Sequence, residues 1–310
     1  MRNLSRQWVA AAVLALSGLS PSLCAADSAV QLTSDTATDY EPRFSNDGTK
    51  ILFYSLGRTG NVGGSDVWVI PSTGGAPTRI TDGVGQDYAA GWSPDGTNIV
   101  FISDRAGHDD LWVMPSTGGV ATPLTNDAFA DLGPTYSPDG LTIAFGSNRG
   151  GNYQIWTIPA AGGTPVQVTN HAGGAYGASW TSDGQRIGFQ SVTGPTYLWT
   201  VPAAGGTETP LLDDPVYACC PRWSPDGRFV TFYSRRSGNG DAWVATAAGA
   251  TPIQVTDNAA QDVPGSWSPD SKQIVFDSER GGHSQIWLLT PDLSSPAQKT
   301  TWGSVKATYR

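Results

Sequence analysis

The sequence predicts an all-β fold, a six-bladed β-propeller of four-stranded antiparallel blades, on three observations. Tryptophans at positions 68, 112, 156, 199, 243 and 287 are spaced 44, 44, 43, 44 and 44 residues apart. Two further ladders keep that period: Phe44, Trp92, Tyr136, Trp180, Trp223 and Trp267, and Phe53, Phe101, Phe145, Phe189, Phe232 and Phe276. A turn recurs with them, as SNDG at 45–48, SPDG at 93–96, 137–140 and 224–227, TSDG at 181–184 and SPDS at 268–271. A fixed period of this length means that one supersecondary unit is copied along the chain.

Taken from the N-terminus, the first element is not part of the fold. Arg2 and Arg6 precede an apolar run from Trp8 to Leu19, and small residues follow up to Ala25 and Ala26. That is the layout of a secretory signal peptide, expected over residues 1–25 with cleavage after Ala25 or Ala26. The run is too short to span a bilayer. Leu23 before Cys24, and Pro21 where Leu is usual, argue against lipidation of Cys24. Residues 26–310 then form one propeller, with blades at approximately 39–82, 87–126, 131–170, 175–213, 218–257 and 262–301.

Residues 87–126 show how one repeat makes a blade. Ala89 to Ser93 is a short strand. Ser93-Pro94-Asp95-Gly96 is a turn, in which Pro presets φ, Asp bonds back to local backbone and Gly takes the positive φ. Asn98 to Ser103 alternates Ile99 and Phe101 on one face with Val100 and Ile102 on the other. A polar loop, a third strand from Asp110 to Met114, a Gly118-Gly119 turn and a fourth strand from Ala121 to Thr125 complete it. Such a blade is apolar on both faces and must pack against its neighbours; closing the circle protects the inner edges. Val30 to Thr33, which matches the fourth-strand pattern of Val166 to Thr169 and Ile253 to Thr256, and Ala297 to Thr301 each fit the closing strand of blade six, one or both of them docking there.

The chain has 18 Lys and Arg against 27 Asp and Glu, a formal net charge of −9. Without Arg2 and Arg6 the balance is 16 against 27, or −11. So acidic a surface disfavours nucleic acid and anionic lipid and suits a basic partner or a cation. No second hydrophobic segment follows the leader, so the expectation is a soluble, monomeric, periplasmic or secreted protein without membrane insertion. Cys219 and Cys220 are adjacent, and in an oxidising compartment a vicinal disulfide is open to them. No Cys and His spacing of a metal site is present.

The unit running from Leu124-Thr125 through SPDG at 137–140, Ile143, Phe145, Asn148-Arg149, Ile155-Trp156 and Gly162-Gly163 resembles the TolB-like propeller repeat. The resemblance covers nearly all of residues 26–310, in six copies. It implies a propeller that binds protein partners in the cell envelope. TolB itself carries an α/β domain ahead of its propeller, which this sequence does not show. The repeat also resembles the propellers of oligopeptidase-like enzymes and of oligogalacturonide lyases; the latter use histidines and a metal.

Tight SPDG and Gly-Gly turns share one face of such a propeller, and the second-to-third loops and blade crossovers share the other. Ligands usually meet loops held on a rigid scaffold. That loop face holds Asp39, Asp87, Asp131 and Asp262, each five residues before the inner-strand aromatic, with Ala175 and Ala218 in blades four and five. It also holds Arg58, Arg105, Arg149, Arg236 and Arg280, with Thr193 in blade four. Two readings follow. The carboxylates either satisfy their own blades, neutralised by the arginines, or converge at the channel mouth as a ring that binds a cation or a basic segment of a partner. Cys219 and Cys220 sit where the pattern breaks, and blade one has a longer, Gly-rich loop from Gly57 to Ser65. His108, His171 and His283 are expected as exposed loop residues, too far apart for one metal. No nucleophile elbow is present, no catalytic residue can be named, and no cofactor is expected beyond a channel-bound cation. The expected function is an exported, non-enzymatic protein-binding module, with an enzyme acting on a carbohydrate or small molecule, lyase or hydrolase, as the alternative.

Overall fold

The computed structural model describes residues 29–58, 64–83, 85–191, 193, 197–212, 214–249 and 251–293. Residues 1–25, expected as a leader, most of the blade-one insertion and Ala297 to Thr301 lie outside them. The described residues form six four-stranded antiparallel sheets, each ordered from an inner strand outward. In blade two the strands are Asp87–Trp92, Asn98–Ser103, Asp110–Pro115 and Thr122–Pro123. The fourth strand is shorter than its apolar pattern predicts, two residues in each blade. It borders solvent and pairs only with the third strand.

Blade six takes its outermost strand from the N-terminus: Val30–Gln31 pairs with Gln285–Leu289, Val30 opposite Leu288. Thr33 then repeats a bond made by the threonine after the fourth strand elsewhere. Its Oγ1 accepts the Ile286 N–H at 2.9 Å, as Thr125 accepts from Leu111 at 2.9 Å and Thr256 from Ala242 at 3.0 Å. Of the two closing strands the sequence allowed, this one is in place.

Phe101, Phe145, Phe189, Phe232 and Phe276 are fully buried and Phe53 is 1% exposed. Each stands opposite the ladder tryptophan of its blade, as Phe145 opposite Trp156. The ladder tryptophans are less buried than the phenylalanines: Trp68 is 8% exposed, and Trp112, Trp156, Trp199, Trp243 and Trp287 are half-buried. They sit on third strands, nearer the rim, so the phenylalanines carry the inter-blade core. Inner-strand tryptophans staple neighbouring blades, with Trp92, Trp180 and Trp267 Nε1 donating to the carbonyls of Arg43, Thr135 and Arg222 at 3.1–3.2 Å. Close approach needs glycine in two places. A Cβ on Gly188 would fall 2.1 Å from the Trp223 ring, and one on Gly265 would fall 2.0 Å from the Pro42 carbonyl.

Candidate functional site

In blades one, two, three and six the Asp and Arg ladders form the same device. Arg58, Arg105, Arg149 and Arg280 pair with Asp39, Asp87, Asp131 and Asp262 at 2.7–2.9 Å, and the four carboxylates are fully buried. Each guanidinium, that of Arg236 included, lies 5.0–5.5 Å from the Phe and Trp ring centroids of its blade, within cation–π range. The aspartates therefore do not converge at the channel mouth. A buried carboxylate is tolerable only when paired, and each is sealed beneath its own arginine.

The breaks in blades four and five are compensated locally. Arg236, facing Ala218 instead of Asp, pairs with Asp214 at 2.9 Å. In blade four, which lacks both partners, His171 takes the arginine's place. It lies 5.5 Å from Phe189 and 4.8 Å from Trp199, with Nδ1 2.6 Å from Glu208. His171 is thus a half-buried structural residue rather than an exposed one. His283 reaches the Asp35 carbonyl at 2.9 Å, and His108 is exposed as expected.

What faces the axis is a different set. A cavity of about 490 Å³ is lined by the inner strands of all six blades and by the second residues of the SPDG-type turns, Asn46, Pro94, Pro138, Ser182 and Pro225. It therefore reaches the turn face, opposite the loop face on which the candidate residues were expected. Of the candidates named from sequence, Cys220 lines it; Asp39, Asp87, Asp131, Asp262, Arg105, Arg149, Arg236, Arg280 and Cys219 do not. The polar walls come from Glu41, Arg43, Gln190, Cys220 and Arg222, and the apolar walls from Trp92, Tyr136, Trp180, Trp223 and Trp267.

A β-bulge in every inner strand places these groups. In five blades a bulge residue has positive φ: Glu41 (51°), Ala89 (49°), Gly133 (56°), Gly177 (63°) and Cys220 (60°). Such a φ is costly for Glu and Cys. The freed N–H groups are capped by the preceding blade: Glu41 N donates to Asp277 Oδ1 and Cys220 N to Gln190 Oε1, each at 3.1 Å. A sequence signal existed, since this column, two residues after the Asp position, holds Gly twice and larger residues where the cavity is polar.

The electrostatics are unusual for so acidic a chain. Arg43 Nη2 lies 3.7 Å from Glu41, and its Nη1 donates to the Gly265 carbonyl at 2.9 Å. Burial, and then the neighbouring Arg222, pull the Arg43 guanidinium down to about 10. Arg222 donates to the Pro221 carbonyl at 2.9 Å, and among the described residues no carboxylate pairs with it. Burial pushes the Asp277 carboxyl up to about 8, opposed by the Glu41 N–H. Cys219 and Cys220 are free thiols with sulfurs 2.8 Å apart. That sulfur–sulfur interaction, helped by Arg222, holds Cys220 below the usual thiol range, and the same interaction, together with burial, pushes Cys219 well above it. No helix among the described residues is long and apolar enough to cross a membrane.

Several solved structures share this fold. A candidate TolB from Agrobacterium tumefaciens is 19% identical, with 86% of this chain and 97% of that chain covered and a TM-score of 0.67. TolB from Acinetobacter baumannii is 17% identical, with a TM-score of 0.64; the match covers 83% of this chain and 64% of that one. An oligogalacturonate lyase from Vibrio parahaemolyticus is 11% identical, with 86% and 96% covered and a TM-score of 0.61. At these identities the likeness shows the fold alone. The family itself follows from the repeats: residues 106–198 and 204–309, more than half of the chain, match the TolB β-propeller domain, and the protein belongs to that family.

Proposed function

We propose that this chain is an exported, periplasmic binding module whose central cavity receives a carboxylate-bearing segment of a protein partner. The observation that carries this reading is Arg222. It faces a 490 Å³ cavity beside Arg43, has no carboxylate partner among the described residues, and is ringed by aromatic side chains. A guanidinium held in a partly apolar cavity favours a bidentate carboxylate, and the aromatic belt supplies apolar area for the rest of the segment. The loop-face aspartates are neutralised by their own arginines, so they do not support a basic partner. The test is capture from envelope extract by wild type and by Arg222→Glu, with polyglutamate as competitor. A partner that is lost with the substitution and displaced by polyglutamate supports the reading. Equal capture by both proteins sinks it.

A second reading rests on Asp277 and Cys220. An acid poised at about 8 contacts the cavity wall at Glu41, and a thiol of lowered pKa lines the cavity, and perturbed groups in a cleft are candidates for acid–base or nucleophilic work. Similar folds include proteins named as oligogalacturonate lyases and a gluconolactonase. Turnover of acidic oligosaccharides or lactones that disappears with Asp277→Asn would favour this enzyme reading over the binding module.

A further inference from the structure

We propose that Asp110, Asp127 and Asp131, at the junction of blades two and three, form a binding site for calcium. The site lies under the loop face, away from the central cavity. One carboxylate oxygen from each residue lies within 4.8 Å of the other two. Calcium–oxygen bonds are about 2.3–2.6 Å, so two ligands of one ion stand at most about 4.6–5.2 Å apart. Separations up to that limit are in the range that ligands of one ion span, and an all-oxygen donor set suits a hard cation.

The second observation is Asp110 itself. It is 1% exposed, and its Oδ2 has no hydrogen-bond partner. Its Oδ1 receives only long bonds, from Thr125 Oγ1 at 3.3 Å and the Asp127 N–H at 3.4 Å. A buried carboxylate oxygen left so is costly unless something positive meets it.

The repeats supply an internal comparison. Asp66, Asp110 and Asp241 hold the same place, two residues before the ladder tryptophan. Asp66 has Arg79 at 3.6 Å. Asp241 takes the Gln254 amide at 3.0 Å and further bonds from Ser237 and Asn239. Arg79 and Gln254 both stand opposite the ladder tryptophan on the fourth strand; in blade two that position is Pro123, which offers no donor. The charge count agrees. Arg149 meets Asp131 at 2.8 Å and Asp127 at 3.5 Å, which leaves two negative charges for a divalent ion. Asp127, with its side chain 36% exposed, gives the ion access from solvent.

The experiment is calorimetric titration of calcium into the chelator-treated mature protein, with melting temperature followed in parallel. Wild type is expected to show one saturable site and to melt higher with calcium. Asp110→Asn and Asp127→Asn should each weaken binding at least tenfold. Pro123→Arg keeps all three ligands but restores the blade-one arrangement, so it should abolish the calcium response. Asp66→Asn, in the counterpart position of blade one, should leave the affinity unchanged. Absence of a saturable site in wild type overturns the proposal, as does wild-type affinity in Asp110→Asn and Pro123→Arg, or loss of binding in Asp66→Asn. If Asp110→Asn does not fold, Asp127→Asn and Pro123→Arg decide.

Discussion

Replacing Thr33 by Val tests how the ring is closed. Thr33 is 3% exposed, and its Oγ1 accepts the Ile286 N–H at 2.9 Å. Valine keeps the shape and removes the acceptor, leaving a buried N–H unpaired at a cost of about 1–3 kcal/mol. For a domain of this size each kcal/mol moves the melting temperature by about 2–4 °C, so the expected fall is about 2–12 °C. Thr256→Val is the internal standard, because Thr256 is fully buried and accepts from Ala242 at 3.0 Å in a blade whose strands are continuous in sequence. Both variants would be unfolded by heat and by urea, the urea midpoint guarding against irreversible melting. Similar losses are expected, because the N-terminal segment does in blade six what a covalently continuous strand does in blade five. A silent Thr33→Val beside a destabilised Thr256→Val would refute closure by this segment.

Further expectations follow from the blade interiors and the cavity. Phe145→Ala should cost about 3–5 kcal/mol in urea unfolding, and Trp156→Ala less, because Phe145 is fully buried and Trp156 only half-buried; the reverse order would contradict the assignment of the inter-blade core to the phenylalanines. Asp87→Ala should cost about 3 kcal/mol, the low end for breaking a buried pair, because Asp82 remains 3.2 Å from Arg105; adding Arg105→Met should recover part of the loss. Burial raises the Asp277 carboxyl from 3.8 to about 8 in the folded protein. Between those values the folded state holds a proton that the unfolded chain has released, so this residue's contribution to stability falls as pH rises from about 4 to 8 and is level above. Asp277→Asn should therefore match wild type near pH 4 and exceed it at pH 8–9 in urea titrations, and a parallel pair of pH profiles would show that the group is not buried as described.

By itself the sequence determined the repeat, its strand order and its turns, because backbone geometry is local: a Pro-Asp-Gly turn, a period-two strand and a ladder aromatic each need only a few neighbouring residues. It also named the Asp and Arg columns, since each sits at a fixed offset from those aromatics. It could not say where the columns point. Asp131 and Arg149 look like ring residues when six repeats are aligned, yet burial under Phe145 and Trp156 turns them toward each other. His171, in the crossover into blade four, and Glu208, just before that blade's fourth strand, are 37 residues apart, so their replacement of a missing Arg–Asp pair exists only once blade four has folded. The same holds for the cavity. Glu41, Arg43, Cys220 and Arg222 belong to blades one and five, and Asp277, which caps Glu41, to blade six; only closure brings them together, and the inner-strand bulge that exposes Glu41 and Cys220 is a register shift no single repeat reveals. Which strand closes blade six was likewise settled in three dimensions, where Thr33 finds Ile286 across the seam between the two ends of the chain.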